Sequence, residues 1–124
     1  MNRVIKFRGL SKNNKWVIGS FVLDAAGGAR IAKVDTSGKG LDFVHVDDDS
    51  VGQFTGLLDK NKVEIYEGDI VRWNVNTISP TGPVIFDSGA FWIDKVWNDW
   101  LRGENEVIGN IHQNPELRNA TGQA

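Results

Sequence analysis

The sequence predicts a mainly β fold, with an SH3-like β-barrel core, an N-terminal β-hairpin region and short helical turns near 47–52 and 114–118. Apolar residues repeat with a period of two, in short stretches rich in Val, Ile, Phe and Trp, which fit a pleated, half-buried surface. Gly, Asn, Asp and Ser separate these stretches, as expected for tight turns. The Gly68-Asp69 step before the apolar run 70–75 is typical of the sharp entry into a small barrel.

The first predicted element is a hairpin. In the strand 3–9, Ile5 and Phe7 share one face, while Lys6 and Arg8 share the other. The segment 11–14 has turn composition, and the returning strand 16–23 is apolar on both faces. Strands of that kind are covered on both sides, so we expect this strand to lie inside the fold.

The next predicted strands are 29–34 and 41–46, separated by a loop at 35–40. Asp47, Asp48 and Asp49 then stand where a short helical turn begins, and their carboxylates suit the free N–H groups of that turn. A calcium loop needs about six oxygen ligands at spaced positions, which do not follow here. We therefore predict capping by the three aspartates.

The remaining strands are predicted from the same pattern, each bounded by turn residues, at 54–58, 63–66, 70–75, 84–86, 90–96 and 107–112. Asn114 and Pro115 have the order of a capping residue followed by a first helical residue. We predict one domain over residues 1–118 and a frayed C-terminal tail at 119–124.

Composition excludes several kinds of chemistry. The chain has 124 residues and no cysteine, which removes disulfides, cysteine zinc sites, iron–sulfur clusters and thiol nucleophiles. Apolar runs are far shorter than the ~18 residues of a membrane helix, and the basic N-terminus lacks a signal-peptide core. We expect a cytoplasmic protein that does not bind membranes.

Charge is distributed unevenly along the chain. Residues 1–23 carry five basic and no acidic side chains, whereas the other 101 residues carry nine basic and sixteen acidic ones. A basic strand can follow nucleic-acid phosphates, but Lys and Arg also keep an exposed strand soluble. The acidic remainder favours the second interpretation.

Three separated segments, 5–9 with 16–20, 51–71 and 107–117, together form a recognisable pattern. Its motif residues are Gly52, Gln53, Thr55, Gly56, Tyr66, Glu67, Gly68, Asp69, Gly109, Asn110, Asn114 and Pro115. Over about residues 3–118 this pattern resembles the YopX family of small phage and prophage proteins. The resemblance implies a mainly β fold with an SH3-like barrel and a bacterial cytoplasm that carries phage genes. It implies no activity, because the family is largely uncharacterised.

No residue pattern points to catalysis. His45 and His112 are the only imidazoles, and neither stands in the context of a nucleophilic triad. Carboxylate pairs such as Glu64 with Glu67 are explained by turns and strand surfaces. We expect no catalytic, cofactor-binding or metal-binding residues and no small-molecule substrate, and therefore a non-enzymatic protein.

The candidate interaction surface combines cations and tryptophans: Lys6, Arg8, Arg72, Trp73, Trp97 and Trp100. Trp97 and Trp100 fall in a polar connection, where Trp either closes the end of a barrel, contacts a protein or stacks on a base. We predict a protein partner or self-association. The alternative is nucleic-acid binding by Lys6, Arg8, Arg72 and Trp73.

Overall fold

A computed structural model describes residues 2–94, 99–101 and 104–119. The chain is mainly β, as predicted, and its strands form two antiparallel sheets. The strands in chain order are β1 (Phe7–Leu10), β2 (Trp16–Leu23), β3 (Ala29–Val34), β4 (Leu41–His45), β5 (Gly52–Leu58), β6 (Glu64–Tyr66), β7 (Asp69–Arg72), β8 (Thr81–Asp87), β9 (Ala90–Ile93), β10 (Asp99–Trp100) and β11 (Glu106–Asn110). Two 3-10 helices, Asp48–Ser50 and Pro115–Asn119, lie where the helical turns were predicted.

The chain divides into two compact units, residues 1–54 and 55–124. The first sheet has the strand order β4-β3-β2-β1-β5-β6; β1 to β4 belong to the first unit, and the boundary falls within β5. The predicted hairpin of β1 and β2 is confirmed, with Phe7 opposite Gly19 and Leu10 opposite Trp16. The single domain over residues 1–118 stays a prediction.

One face of the first sheet forms the core of that unit. Ile31, Ala29 and Val46 are buried there, and Phe7 and Val17 pack against them. Period-two alternation sends the side chains between these positions to the opposite face. That opposite face is only partly covered: Ile18 of β2 is 44% exposed, so the prediction that β2 lies wholly inside the fold is wrong.

The first 3-10 helix confirms the predicted capping for Asp47, whereas Asp48 Oδ1 accepts a hydrogen bond from the Ala29 N–H at 3.1 Å. The side chain of Asp47 accepts a hydrogen bond from the Asp49 N–H at 3.1 Å. Ser50 is buried, and its hydroxyl accepts from the Leu10 N–H at 2.8 Å and donates to the Asp47 carbonyl at 2.6 Å. This short helix is therefore fastened to the end of β1.

The second unit contains a five-stranded sheet in the order β10-β9-β8-β7-β11. Its core is formed by Ile65, Val71, Val84, Ile93 and Leu101, against which Trp73, Phe91 and Val107 pack. The sheet is open: in the part of the chain that the structure describes, its edge strands β10 and β11 do not pair with each other. The predicted SH3-like barrel is therefore not confirmed.

Several strands are shorter than the sequence pattern indicates. β1 begins at Phe7 instead of Arg3, and β11 ends at Asn110, where a tight turn begins. β7 ends at Arg72 because the chain then turns, with an isolated bridge between Val75 and Ile78. Apolar periodicity marks which residues suit a strand, but the ladder ends where its partner strand ends.

Candidate interaction surface

The two predicted cations of the first unit are engaged within it. Lys6 Nζ lies 5.0 Å from the centre of the Phe54 ring. Arg8 is only 7% exposed, and its guanidinium carbon lies 3.9 Å from the centre of the Trp16 ring. A cation over an aromatic face is stabilised by the ring quadrupole, more so when desolvated. The expectation that Arg8 stands on a wet face is wrong, because the β1–β2 register brings Trp16 over it.

The predicted pair in the second unit is also engaged. Arg72 Nη2 donates to Glu106 Oε1 at 2.7 Å across the β7–β11 pair. This hydrogen bond is the main reason why the pKa of Glu106 lies below its ordinary value. Trp73 is half-buried against the core. Neither side chain is presented as part of an open stacking platform.

Trp97 and Trp100 were the two aromatic residues predicted to lie in a contact loop. Trp97 lies outside the described residues. The backbone of Trp100 belongs to β10 and pairs with Trp92, while its side chain lies outside what the structure describes. The predicted contact loop therefore stays a prediction.

The motif residues of the second unit build turns. Asp69 is buried, and its Oδ2 accepts from the Tyr66 N–H at 2.7 Å, across the turn that contains Glu67 and Gly68. Gly68 has φ +94, a left-handed conformation that favours glycine. His112 Nε2 lies 3.3 Å from the position that a Cβ on Gly68 would occupy, which places this imidazole against a turn.

A second turn uses the amides of the same motif. Asn110 Oδ1 accepts from the N–H groups of His112 and Gln113, at 3.0 and 2.9 Å. Asn114 Oδ1 accepts from the Asn110 N–H at 3.2 Å. Gly109 must be small here, because a Cβ would lie 2.7 Å from Asn114 Oδ1. These motif residues therefore have structural roles.

Asp59 anchors the turn between β5 and β6 and was missed as a key residue by the sequence analysis. It is buried, its Oδ1 accepts from Asn61 and Val63 at 2.8 and 2.9 Å, and its Oδ2 accepts from Val107 of β11 at 2.9 Å. Burial alone would raise the pKa of Asp59, but these three backbone donors outweigh it and lower the pKa.

The most exposed apolar strand surface of the first unit lies on the β3–β4 pair. β2 pairs with β3 as far as Ala32, whereas β3 and β4 stay paired to Val34 and Leu41. On one face of this two-stranded ribbon, Val34 is 61%, Leu41 57% and Phe43 50% exposed. We call these three side chains the apolar ribbon face. The opposite face carries Lys33 directly across from Asp42.

The turn that ends the ribbon is well ordered by hydrogen bonds. Asp35 Oδ1 accepts from the Ser37 hydroxyl at 2.5 Å and from the Ser37 N–H at 2.9 Å. The hydroxyl contributes most to lowering the pKa of Asp35, against the opposing effect of desolvation. These hydrogen bonds fix the turn between β3 and β4, the two strands that carry the apolar ribbon face.

The sequence contained a signal for this surface. In 41–43, Leu and Phe alternate with Asp, which predicts a strand with apolar and polar positions in turn. That alternation indicates an apolar face but not whether the core covers it. The predicted cations drew attention to β1, whereas the exposed apolar surface is on β3 and β4.

The described residues contain no group of three or more His, Cys, Asp or Glu side chains that could hold a metal ion. An open depression of about 490 Å³ in the first unit is lined by residues of both charge signs, including Lys12, His45 and Asp47. In the same described ranges, no helix has the length and apolarity to cross a membrane.

Comparison with known proteins gives a family. The model of the YopX protein family matches residues 6–118, which is most of the chain. The chain belongs to the YopX family. The chain is also similar to a protein of known structure, EF1440 from Enterococcus faecalis, with 25% identity, a TM-score of 0.56, and alignment over 94% of this chain and 99% of that chain. No protein with a curated description matches the chain.

Proposed function

We propose that this YopX protein is a non-enzymatic phage or prophage accessory module that acts in the bacterial cytoplasm by binding protein. The observation that carries the proposal is the apolar ribbon face, on which three large apolar side chains are at least half exposed next to one another. Contiguous apolar surface of this kind marks interaction sites. Family membership supports the phage setting and leaves the activity open.

The ribbon also has the separation of faces that a contact surface requires. Val34 lies opposite Leu41 on the apolar side, while Lys33 lies opposite Asp42 on the polar side. Opposite charges across strands stabilise the pair and keep that side wet. Apolar side chains of a partner are therefore expected to contact the apolar side and not Lys33 and Asp42.

Two further aspects of the proposal concern the second unit and nucleic acid. The meander β7-β8-β9, with the last strand β11 returning beside β7, supports an open SH3-like arrangement of this unit. Nucleic-acid binding by the predicted set is the weaker alternative. Arg8 is stacked on Trp16, and Arg72 is paired with Glu106, so both cations would have to leave these contacts to reach a phosphate.

The proposal is tested with a matched pair of variants in affinity capture from lysed bacterial host cells. Leu41→Ser removes an apolar side chain that is 57% exposed from the apolar ribbon face, and Leu23→Ser removes one that is 60% exposed from the opposite face of the first sheet. We expect wild type and Leu23→Ser to retain the same partner, including further copies of the chain, and Leu41→Ser to lose it. Equal capture by all three proteins would reject the apolar ribbon face as the contact surface.

A further inference from the structure

The outer edge of β4 is open. Among the described strands, β4 pairs with β3 alone, and it is five residues long, without proline, lysine or a bulge. Natural edge strands are usually protected by such features or by a covering segment, because unpaired backbone groups attract another strand. Leu41 and Phe43 are exposed, while residues of the segment 10–14 lie beside His45 across an open depression and the Asp47 N–H donates to the Leu10 carbonyl at 2.9 Å. In the described part of the chain the open stretch of this edge is therefore Leu41 to His45.

The backbone groups at this edge follow from the ladder. Antiparallel residue pairs alternate between those that exchange hydrogen bonds and those that do not. At one end of the ribbon the Asp35 N–H donates to the Gly40 carbonyl at 3.0 Å, and at the other the Val46 N–H donates to the Ala29 carbonyl at 3.2 Å. Both hydrogen bonds indicate the same alternation, in which the even-numbered residues of β4 exchange backbone hydrogen bonds with β3. The N–H and C=O groups that point to the open edge belong to Leu41, Phe43 and His45.

We propose that the partner of the apolar ribbon face is a second copy of this chain, joined by antiparallel pairing of the two β4 strands centred on Phe43. The inference rests on the proposed function and names its partner. A two-fold axis perpendicular to the sheet relates the two copies, so their apolar ribbon faces lie on the same side of the joined sheet. It therefore joins two ribbons into one wider sheet with a continuous apolar side.

The Phe43 register satisfies the whole edge. Phe43 then faces Phe43, and Leu41 of each copy faces His45 of the other. Every outward N–H and C=O of these residues is paired, because each facing pair exchanges two hydrogen bonds. Aromatic pairs across strands add to the stability of a sheet.

Neighbouring registers are poorer. Centring the pair on Asp42 places Asp42 directly against Asp42, and like charges in that position are destabilising. It also leaves His45 beyond the end of the facing strand. Centring the pair on Val44 likewise leaves Leu41 beyond the end of the facing strand. The Phe43 register avoids facing carboxylates and uses the full length of β4.

The side chain and the backbone of Phe43 are tested separately by two substitutions. Phe43→Thr removes the ring and keeps the outward N–H, whereas Phe43→Pro removes both and leaves the ladder to β3 intact, since proline is tolerated at the outward positions of an edge strand. By sedimentation equilibrium we expect a dimer for wild type. Phe43→Thr should weaken it, and Phe43→Pro should raise the dissociation constant by about a further tenfold, because each copy loses one donor.

The register is tested independently by cysteine cross-linking, which the cysteine-free chain allows. Facing residues in a hydrogen-bonded pair have Cα atoms about 5.5 Å apart, within the range of a disulfide. Under mild oxidation we expect Phe43→Cys to form a covalent dimer. Asp42→Cys, which would face itself only in the rejected register, and Leu23→Cys on β2 should remain mostly monomeric.

Three outcomes overturn the inference. They are a wild-type monomer at all concentrations up to about 100 µM, equal dissociation constants for Phe43→Thr and Phe43→Pro, and cross-linking of Asp42→Cys in preference to Phe43→Cys. If the wild type is monomeric but Leu41→Ser still loses a captured protein, the proposed function stands and the second copy is rejected. If Phe43→Pro does not fold, the cysteine experiment decides alone.

Discussion

Buried carboxylates stabilise turns in the second unit of this protein. Asp59 and Asp69 are almost completely buried, and each accepts hydrogen bonds from backbone N–H groups of neighbouring turns. A buried carboxylate is stable only when its charge is compensated in this way. Acidic residues that were predicted only to stabilise their own turns are therefore buried, and Asp59 also bonds to a strand outside its turn.

Replacing Asp59 is expected to destabilise the second unit strongly. Asp59→Ala leaves three backbone donors, on Asn61, Val63 and Val107, without their acceptor, and we expect a loss of about 2–4 kcal/mol in the free energy of unfolding. The measurement is urea unfolding followed by Trp fluorescence. Asp87→Ala, at an exposed position of β8, is the control and should change the free energy by less than about 0.5 kcal/mol. Equal losses for the two variants would contradict this role.

The same residue gives a pH dependence. The pKa of Asp59 is lowered by folding from its ordinary value of 3.8, so the folded state binds this proton less readily than the unfolded chain. Its contribution to stability is therefore complete above pH 3.8 and is lost as the pH falls through the lowered pKa of the folded state. We expect the difference in unfolding free energy between wild type and Asp59→Asn to shrink as the pH is lowered from 6 to 2. A difference that is constant over this range would exclude the mechanism.

At the scale of elements, the sequence predicted both helical turns and the order of the described strands except β10 (Asp99–Trp100), which was predicted to be part of a connecting loop. The strands at 16–23 and 29–34 could be predicted because apolar spacing and β-branched content are properties of each segment by itself. Which residues meet across strands is not local. The contacts of Arg8 with Trp16 and of Arg72 with Glu106 depend on strand register.

The exposed ribbon shows the same limit. Alternation divides β4 into two faces, but it does not say which one the core covers. The answer depends on where β2 stops pairing with β3, at Ser20 and Ala32, and strand register of this kind is not a local property of the sequence. The sequence therefore indicated the strands of the candidate surface without locating the surface itself.

The first 3-10 helix allows a prediction about an element. Ser50→Ala removes the acceptor of the buried Leu10 N–H and the donor to the Asp47 carbonyl. We expect a loss of about 1–3 kcal/mol in unfolding free energy, with faster amide exchange at Leu10, because a buried N–H is left without a partner. Ser20→Ala, at an exposed position on β2, is the matched control and should leave both measurements nearly unchanged. Unaltered exchange at Leu10 would show that the helix is not fastened through Ser50.

At the scale of the whole molecule, the uneven charge acquires a different meaning. The five basic residues before Leu23 suggested an anionic partner, yet Arg8 is buried and Lys6 lies over Phe54. In the second unit Arg72 is neutralised by Glu106. The chain as a whole has a formal net charge of −2. Its electrostatic field is therefore a poor match for a polyanion.

Nucleic-acid binding can accordingly be tested against a definite expectation. We expect no binding of single- or double-stranded DNA or RNA at ~50 mM salt, the condition in which phosphate contacts are strongest. Fluorescence anisotropy with short labelled oligonucleotides measures this, and Glu106→Gln is an informative companion because it releases Arg72 from its carboxylate partner. If wild type bound at ~50 mM salt and lost that affinity steeply by ~200 mM, phosphate contacts would be established. If Lys6→Ala then lost this binding, the phosphate contacts would be assigned to Lys6, which directly precedes β1 and lies over the Phe54 ring.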